Sequence, residues 1–157
     1  MSTKIVFASL IFLGGWLWGY LFVRQFIFNF TVSIPLIKKM KAASEELIAP
    51  TAMKFAWVSV IANFLVCALF AFIVVHFCST YLIIFFFIGG ATAVILSIST
   101  LTYKNKGMFE SFCTTYYRFI TDDELRTLMY NKKISQMKVR LHAMEIPYDF
   151  IPKFNED

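Results

Sequence analysis

The chain has 157 residues, of which 59% are hydrophobic and 18% aromatic, and only 16% are charged. Ordinary soluble domains carry about 25% charged residues, and disordered segments are poor in aromatic residues, so this composition excludes both classes. A mean hydropathy of +0.66 is too high for a globular domain of this size to bury in a core. The sequence therefore predicts an all-α integral membrane protein.

Three apolar stretches contain no Asp, Glu, Lys or Arg, and they cover residues 5–23, 55–77 and 81–101. As α-helices rising 1.5 Å per residue, each can cross a hydrocarbon core about 30 Å thick. We predict three transmembrane helices, the second and third joined by Cys78, Ser79 and Thr80 as a tight hairpin. The predicted organisation is an N-terminal transmembrane helix at 1–24, an inside loop with an amphipathic helix at 25–54, a transmembrane hairpin at 55–101 and an inside helical tail at 102–157.

The basic residues predict the orientation of these spans. Fourteen of the fifteen Lys and Arg residues lie between the first two spans or after the third. Because basic loops stay on the cytoplasmic side, we expect the N-terminus outside and the C-terminus on the cytoplasmic or matrix side. Use of the sequon Asn29-Phe30-Thr31 would reverse this orientation. The first apolar stretch exceeds the 7–15 residues of a signal-peptide core, so we expect a retained anchor.

The sequence pattern after the first span, at residues 28–49, is consistent with more than one secondary structure. Residues 28–34 alternate apolar and polar side chains, so they could be extended chain at the headgroups or a continuation of the first helix. Pro35 predicts a helix break near residues 33–35. Residues 35–49 then have the apolar spacing of an amphipathic helix. Its lysines could dock on an anionic membrane surface, or the helix could be a solvated connection; these lysines are Lys38, Lys39 and Lys41.

The tail is too short to hold a core of its own, so we expect it to pack on another element. Thr121-Asp122-Asp123-Glu124 predicts a capping box in which Thr121 caps a helix and Glu124 reaches back. A second amphipathic helix is predicted at 134–144. Aromatic residues before the box recur at helical spacing and predict either interfacial anchoring or a protein-docking face. These are Phe109, Phe112, Tyr116 and Phe119.

Inside the predicted spans, small and polar residues recur at intervals of four. Lipid gives helices no hydrophobic reason to associate, so such positions favour close helix packing. The sets are Gly15 and Gly19 in the first span, Ser59, Asn63, Cys67 and Ala71 in the second, and Gly89, Ala93 and Ser97 in the third. We expect the second and third sets to face each other. Asn63 is the one amide within a span, and hydrogen bonding between helices is favoured over an ion or substrate contact.

No motif for catalysis, metal binding or nucleotide binding occurs in the sequence. Cys67 and Cys78 would be about 16 Å apart on a helix, and Cys113 lies on the other side of the membrane, so we expect no disulfide. We therefore predict no catalytic, cofactor or metal site. The tail holds nine Lys and Arg against eight Asp and Glu, which argues against nucleic-acid binding.

These features predict a non-catalytic structural or accessory subunit of a larger multi-subunit membrane complex. Its partners would be other membrane subunits and the lipid bilayer, which could include anionic lipids. The alternative is a small homo-oligomeric channel or transporter component, with Ser59 and Asn63 lining its pore. Two further alternatives are a membrane enzyme whose chemistry is supplied by a bound cofactor or another chain, and an adaptor that tethers a soluble protein.

Overall fold

The computed structural model describes residues 3–98 and 101–154. Within these ranges the chain is all-helical, with 79% helix and no strand. The α-helices are α1 (Thr3–Trp18), α2 (Arg24–Phe28), α3 (Ile34–Ala43), α4 (Thr51–Phe77), α5 (Thr80–Ile98), α6 (Lys106–Tyr116), α7 (Asp123–Tyr130) and α8 (Ile134–Ala143). Two π-helical turns, Gly19–Val23 and Asn29–Ser33, and a 3₁₀ turn, Tyr117–Phe119, connect some of them.

Three helical stretches are long and apolar enough to cross a membrane: Lys4–Ala43, Thr51–Phe77 and Thr80–Ser97. The prediction of three candidate spans is therefore confirmed. At 1.5 Å per residue the 40-residue first stretch is about twice as long as a hydrocarbon core is thick. Its last turns must therefore extend beyond any bilayer that its first turns cross.

The predicted break near residues 33–35 is wrong, because the helical backbone continues through Pro35. Ser33 has helical angles, with φ −66° and ψ −54°, and Pro35 lies in the first turn of α3. Proline lacks the N–H of a regular helix and its ring crowds the preceding turn. The π-helical turn directly before it, Asn29–Ser33, is wider than an α-helical one and so gives the ring room. Helix α3 ends at Ala43, earlier than predicted, because Ser44 is extended.

The chain forms two compact units. Residues 3–28 and 59–98 form one, which we call the apolar unit, and residues 29–58 and 101–154 form the other, which we call the tail unit. Helix α4 begins in the tail unit and ends in the apolar unit. The predicted amphipathic helices of the tail are present as α7 and α8.

The core of the tail unit is built from both of its chain segments. Residues 29–58 contribute buried side chains of α3 and of the loop after it, and residues 101–154 contribute buried side chains of α6, α7 and α8. The largest fully buried ones are Leu36, Ile37, Leu47, Ile48, Phe109, Phe112, Tyr116, Ile120, Leu125, Met129, Met137 and Leu141. The tail thus obtains its core from the segment between the first two candidate spans.

A short backbone pairing fixes the two segments of the tail unit to each other. Ile48 and Ile120 form an antiparallel bridge, and the amide of Ala49 donates to the carbonyl of Phe119 at 2.8 Å. The hydroxyl of Thr121 donates to the carbonyl oxygens of Glu46 and Leu47. Thr121 is therefore occupied in holding the loop before α4.

The predicted capping box is consequently displaced by one residue. Asp122 caps α7, and its Oδ1 accepts a hydrogen bond from the amide of Leu125 at 2.7 Å. Glu124 does not reach back to the start of the helix but pairs with Arg140 at 2.8 Å. An aspartate caps as well as a threonine does, and Thr121 has another partner, so the helix begins one residue later.

Asp122 also links α7 to α8. The Arg140 guanidinium donates through Nη2 to Asp122 Oδ2 at 2.7 Å and through Nε to Oδ1 at 3.2 Å. This hydrogen bonding from Arg140 holds the pKa of Asp122 below its ordinary value, although partial burial opposes the shift. The same pair raises the pKa of Arg140. The carboxylate is 19% exposed, which shields the pair in part from solvent.

We expect Asp122→Asn to destabilise the protein at pH 7 by about 1–2 kcal/mol, because the charge-assisted hydrogen bonds to Arg140 are lost while an N-cap side chain remains. A lowered folded-state pKa gives stability that is present above the unfolded pKa and is lost as pH falls through the folded pKa. The difference between wild type and variant should therefore vanish in acid. Thermal unfolding of the full chain, followed by circular dichroism from pH 7 to pH 2, measures it.

Asp123→Asn is the matched control, since Asp123 pairs with Arg126 at 2.8 Å but is 89% exposed. We expect it to cost less than about 0.5 kcal/mol. A destabilisation by Asp122→Asn that stays constant down to pH 2 would contradict the assigned role of the ion pair.

Candidate functional site

A close backbone contact in the apolar unit joins α1 to α5 through glycines. Gly15 lies against the backbone of Phe86, and Gly89 lies against the backbone of Phe12. A Cβ atom on Gly19 would lie 2.5 Å from the carbonyl oxygen of Gly90, closer than real Cβ contacts allow. Only glycine permits these helices to approach so closely, which is the packing mode that membranes favour.

Helices α1 and α5 run in the same direction. Near their N-termini, Lys4 and Phe7 line one pocket with Tyr81 and Leu82, and further along both helices Gly19 meets Gly90. A first and a third span that cross a membrane in succession also run in the same direction, so the pairing agrees with three crossings.

The structure differs from the expected pairing of the second and third spans. Along the described residues, no backbone contact comparable to that between α1 and α5 joins α4 to α5. Helix α4 instead contacts the first helical stretch, Lys4–Ala43, through aromatic rings. The ring centroids of Phe70 and Phe22 are 5.5 Å apart, and those of Phe64 and Phe26 are 6.3 Å apart. Glycines allow a closer approach than Ser, Asn or Cys, so α5 packs on α1.

The small and polar residues of α4 lie on its half-buried side. Ser59, Asn63, Cys67 and Ala71 are all half-buried. The amide nitrogen of Asn63 donates to the carbonyl oxygen of Ser59 in the same helix at 2.7 Å. On α5, Ala93 is buried and accepts a hydrogen bond from the hydroxyl of Ser97 at 2.9 Å. The Asn63 amide nitrogen is therefore satisfied within α4.

The aromatic residues before α7 do not form an exposed face. Phe109, Phe112 and Tyr116 are buried in the core of the tail unit, and Phe119 is half-buried. This corrects the expectation of a membrane-anchoring or docking stripe. The spacing of these residues identifies a covered helix face, and residues 29–58 of the same chain share the core that covers it.

The three lysines of α3 have different surroundings. Lys38 is exposed and Lys41 is half-buried. Lys39 lies 4.3 Å from the ring centroid of Tyr103, and its ammonium group donates to the Tyr103 hydroxyl at 2.8 Å. The hydrogen bond from Lys39 lowers the pKa of Tyr103. Lys39 is thus held against the segment that follows the third candidate span.

A buried polar pair lies on the second π-helical turn. The Ser33 hydroxyl donates to Asn29 Oδ1 at 3.3 Å, while Asn29 Nδ2 has no hydrogen-bond partner within the described residues. Nearby in the same core, burial raises the pKa of Tyr116 and raises that of Cys113 to about 12. At neutral pH the Cys113 thiol is therefore protonated, which makes it a poor nucleophile.

Lysines from three distant segments surround two adjoining pockets of the tail unit, each of about 410 Å³. Lys138 lines both, so we treat them together and call them the basic basin. The first pocket is also lined by Lys106, Lys132 and Lys133, and the second by Lys104 and Lys153. Asp149 lines the second pocket.

Sequence reasoning missed the basic basin because the tail has nearly balanced charge. The acids of α7 and its cap are paired with arginines: Asp122 and Glu124 with Arg140, and Asp123 with Arg126. The lysines are therefore gathered apart from these acids. In the sequence, only the adjacent Lys132 and Lys133 hint at this arrangement.

Across residues 3–98 and 101–154, no group of three or more His, Cys, Asp or Glu side chains is placed to hold a metal ion. The chain matches no protein-family model, no curated protein and no solved structure with which it was compared.

We expect Gly15→Ala to destabilise the protein by about 1–3 kcal/mol, because its Cβ would overlap the backbone of Phe86 and force α1 and α5 apart. Thermal denaturation in detergent, followed by tryptophan fluorescence, measures this. Trp18 is a suitable reporter because its ring lies 5.2 Å from that of Phe86.

Gly14→Ala is the control, since a Cβ at Gly14 would meet nothing within 4 Å. It should be neutral, or stabilising by up to about 1 kcal/mol through reduced backbone entropy. Equal effects of the two substitutions would mean that helix propensity, and not the contact with α5, decides the outcome.

Proposed function

We propose that the chain is a non-catalytic accessory subunit of a larger membrane-protein complex, with three transmembrane helices. The observation that carries this proposal is the loose packing of α4. Only 6% of its most apolar 18-residue window is buried within the chain, against 22% for α5. In a bilayer, helices associate by close packing and hydrogen bonding, so a helix with little contact in its own chain is available to another.

The exposed side of α4 is broad and made of large apolar side chains. It includes Val58, Ile61, Leu65, Leu69, Phe72 and Val75. The other side carries the half-buried Ser59, Asn63, Cys67 and Ala71. A neighbouring subunit could therefore pack along the exposed side without covering the half-buried side.

The tail unit favours a subunit over an adaptor whose tail acts alone. Residues 101–154 share their core with α3 and the loop after it, so they would lack the core side chains of residues 29–58 if they stood alone. Binding by the tail unit would therefore depend on residues 29–58 as well. The full chain is the entity to test.

A photoreactive amino acid at Leu65, which is exposed on α4, should yield a cross-linked adduct of discrete higher mass in the native membrane. The same photoreactive amino acid at Ile95, which is also apolar and exposed but lies on α5, is the matched control. Native mass spectrometry of the gently extracted complex should show different polypeptides in fixed ratio. The proposal fails if Leu65 gives no protein adduct and the chain leaves the membrane alone. An adduct of twice the chain mass would instead support a homo-oligomer.

The proposed orientation places the N-terminus and the turn between α4 and α5 outside. Cys78 lies in this turn and is half-buried, whereas Cys113 is buried with its pKa raised to about 12. A membrane-impermeant maleimide added to intact cells should therefore label the protein at Cys78, because labelling requires an accessible thiolate.

Cys78→Ser should abolish this labelling, and Cys113→Ser should leave it unchanged. Labelling of Cys78 only after the membrane is made permeable would show that the orientation is the reverse of the proposed one.

A further inference from the structure

We propose that the basic basin binds the phosphate-bearing headgroup of an anionic lipid, an inference that rests on the membrane location of the proposed function. The first observation is charge. Six lysines from three segments line two adjoining pockets that share Lys138. Asp149 lines the second pocket, and no acid among residues 3–98 and 101–154 lines the first. A concave surface with this charge attracts phosphate groups.

Among the described residues, no lysine of the basin forms a salt bridge. Within the described residues every salt bridge is made by an arginine, either Arg126 or Arg140. Helix α8 begins at Ile134 in the first pocket, so the positive end of its dipole adds to the lysine charge. The positive potential of the basin is therefore available to a ligand from outside the chain.

Apolar surface lies beside the lysines in both pockets. Phe154 and Ile134 line the first pocket, and Tyr103, Tyr148 and Pro152 line the second. A lipid headgroup presents a phosphate joined to a less polar glycerol backbone, so it uses both kinds of surface. Inorganic phosphate would use only the charged part.

Chain connectivity limits the distance between Lys104 and the end of α5. Lys104 follows the last residue of α5, Ile98, by six positions. Six residues span at most about 22 Å, so Lys104 cannot lie farther than this from the end of α5. Anionic headgroups on the cytoplasmic leaflet attract basic residues at such positions. This proximity favours a lipid over a soluble phosphate as the source of the ligand.

The test is native mass spectrometry of the full chain in detergent, titrated separately with dioleoylphosphatidylglycerol, dioleoylphosphatidylcholine and inorganic phosphate. The basin variant combines Lys106→Gln, Lys133→Gln and Lys138→Gln, and the control variant combines Lys4→Gln, Lys54→Gln and Arg118→Gln, three exposed residues that do not line the basin. Both lose three positive charges. Circular dichroism and the thermal midpoint establish that both variants are folded, and Lys138→Gln alone is measured in case the combined basin variant is not.

We expect the basin variant to bind phosphatidylglycerol more than about tenfold more weakly than wild type, and Lys138→Gln about fivefold more weakly. The affinity of the control variant for phosphatidylglycerol should change by less than about twofold, and binding of phosphatidylcholine should not differ among wild type and the three variants. Equal losses in the basin and control variants would overturn the proposal, because they would mean that net charge alone attracts the lipid. Basin-dependent binding of inorganic phosphate with unchanged lipid binding would also overturn it.

The titration needs no partner subunit, so its failure is distinguishable from failure of the proposed function. A chain that leaves the membrane alone would contradict the subunit proposal and leave the lipid result intact. Fixed subunit ratios with equal lipid affinity in the two triple variants would contradict only the lipid site.

Discussion

The backbone contact between α1 and α5 is the interaction on which the apolar unit depends. Burying one apolar surface against another gains little in lipid, because lipid tails are as apolar as leucine side chains. What holds two helices together there is dense contact between their atoms. Gly15, Gly19, Gly89 and Gly90 supply it by bringing the two backbones together. Helix α4 has no comparable backbone contact with α5 along the described residues and meets the first helix through rings.

The tail unit has a core of buried apolar side chains, in contrast to the glycine contact of the apolar unit. Its core combines α3 with α6, α7 and α8, and the bridge between Ile48 and Ile120 fixes the two segments. The continuous helix from Thr3 to Ala43 therefore takes part in two kinds of packing. Glycine contacts act on its first half, and burial of Leu36, Ile37 and Met40 acts on its last turns.

Hydropathy predicted the candidate spans because length and the absence of charge are properties of one segment. Hydropathy could not predict what each helix face packs against. The spacing of Phe109, Phe112 and Tyr116 identifies a helix face, but it does not say whether lipid, another protein or residues 29–58 covers that face. Pro35 by itself predicts a break in the helix. The π-helical turn before it gives the proline ring room, and such turns leave no clear signal in the sequence. By its residue type and position Thr121 is expected to cap α7. In the structure its hydroxyl donates to the carbonyl oxygens of Glu46 and Leu47 instead, and this pairing could not be predicted from the local sequence. The basic basin could not be predicted from the sequence, because only folding brings Lys106, Lys133 and Lys138 together.

The two ends of α4 are held differently, and this difference bears on partner binding. Ala52 and Ala56, near its start, are buried, and this part of the helix belongs to the tail unit. From Ser59 onward the helix belongs to the apolar unit, where exposed apolar side chains dominate up to Phe77. The start of α4 is therefore fixed by a packed core, whereas its later turns gain little from their own chain. A partner that packs along those later turns would displace few existing contacts, so the new interface would lose little energy to contacts broken within this chain, although the entropy cost of association would remain.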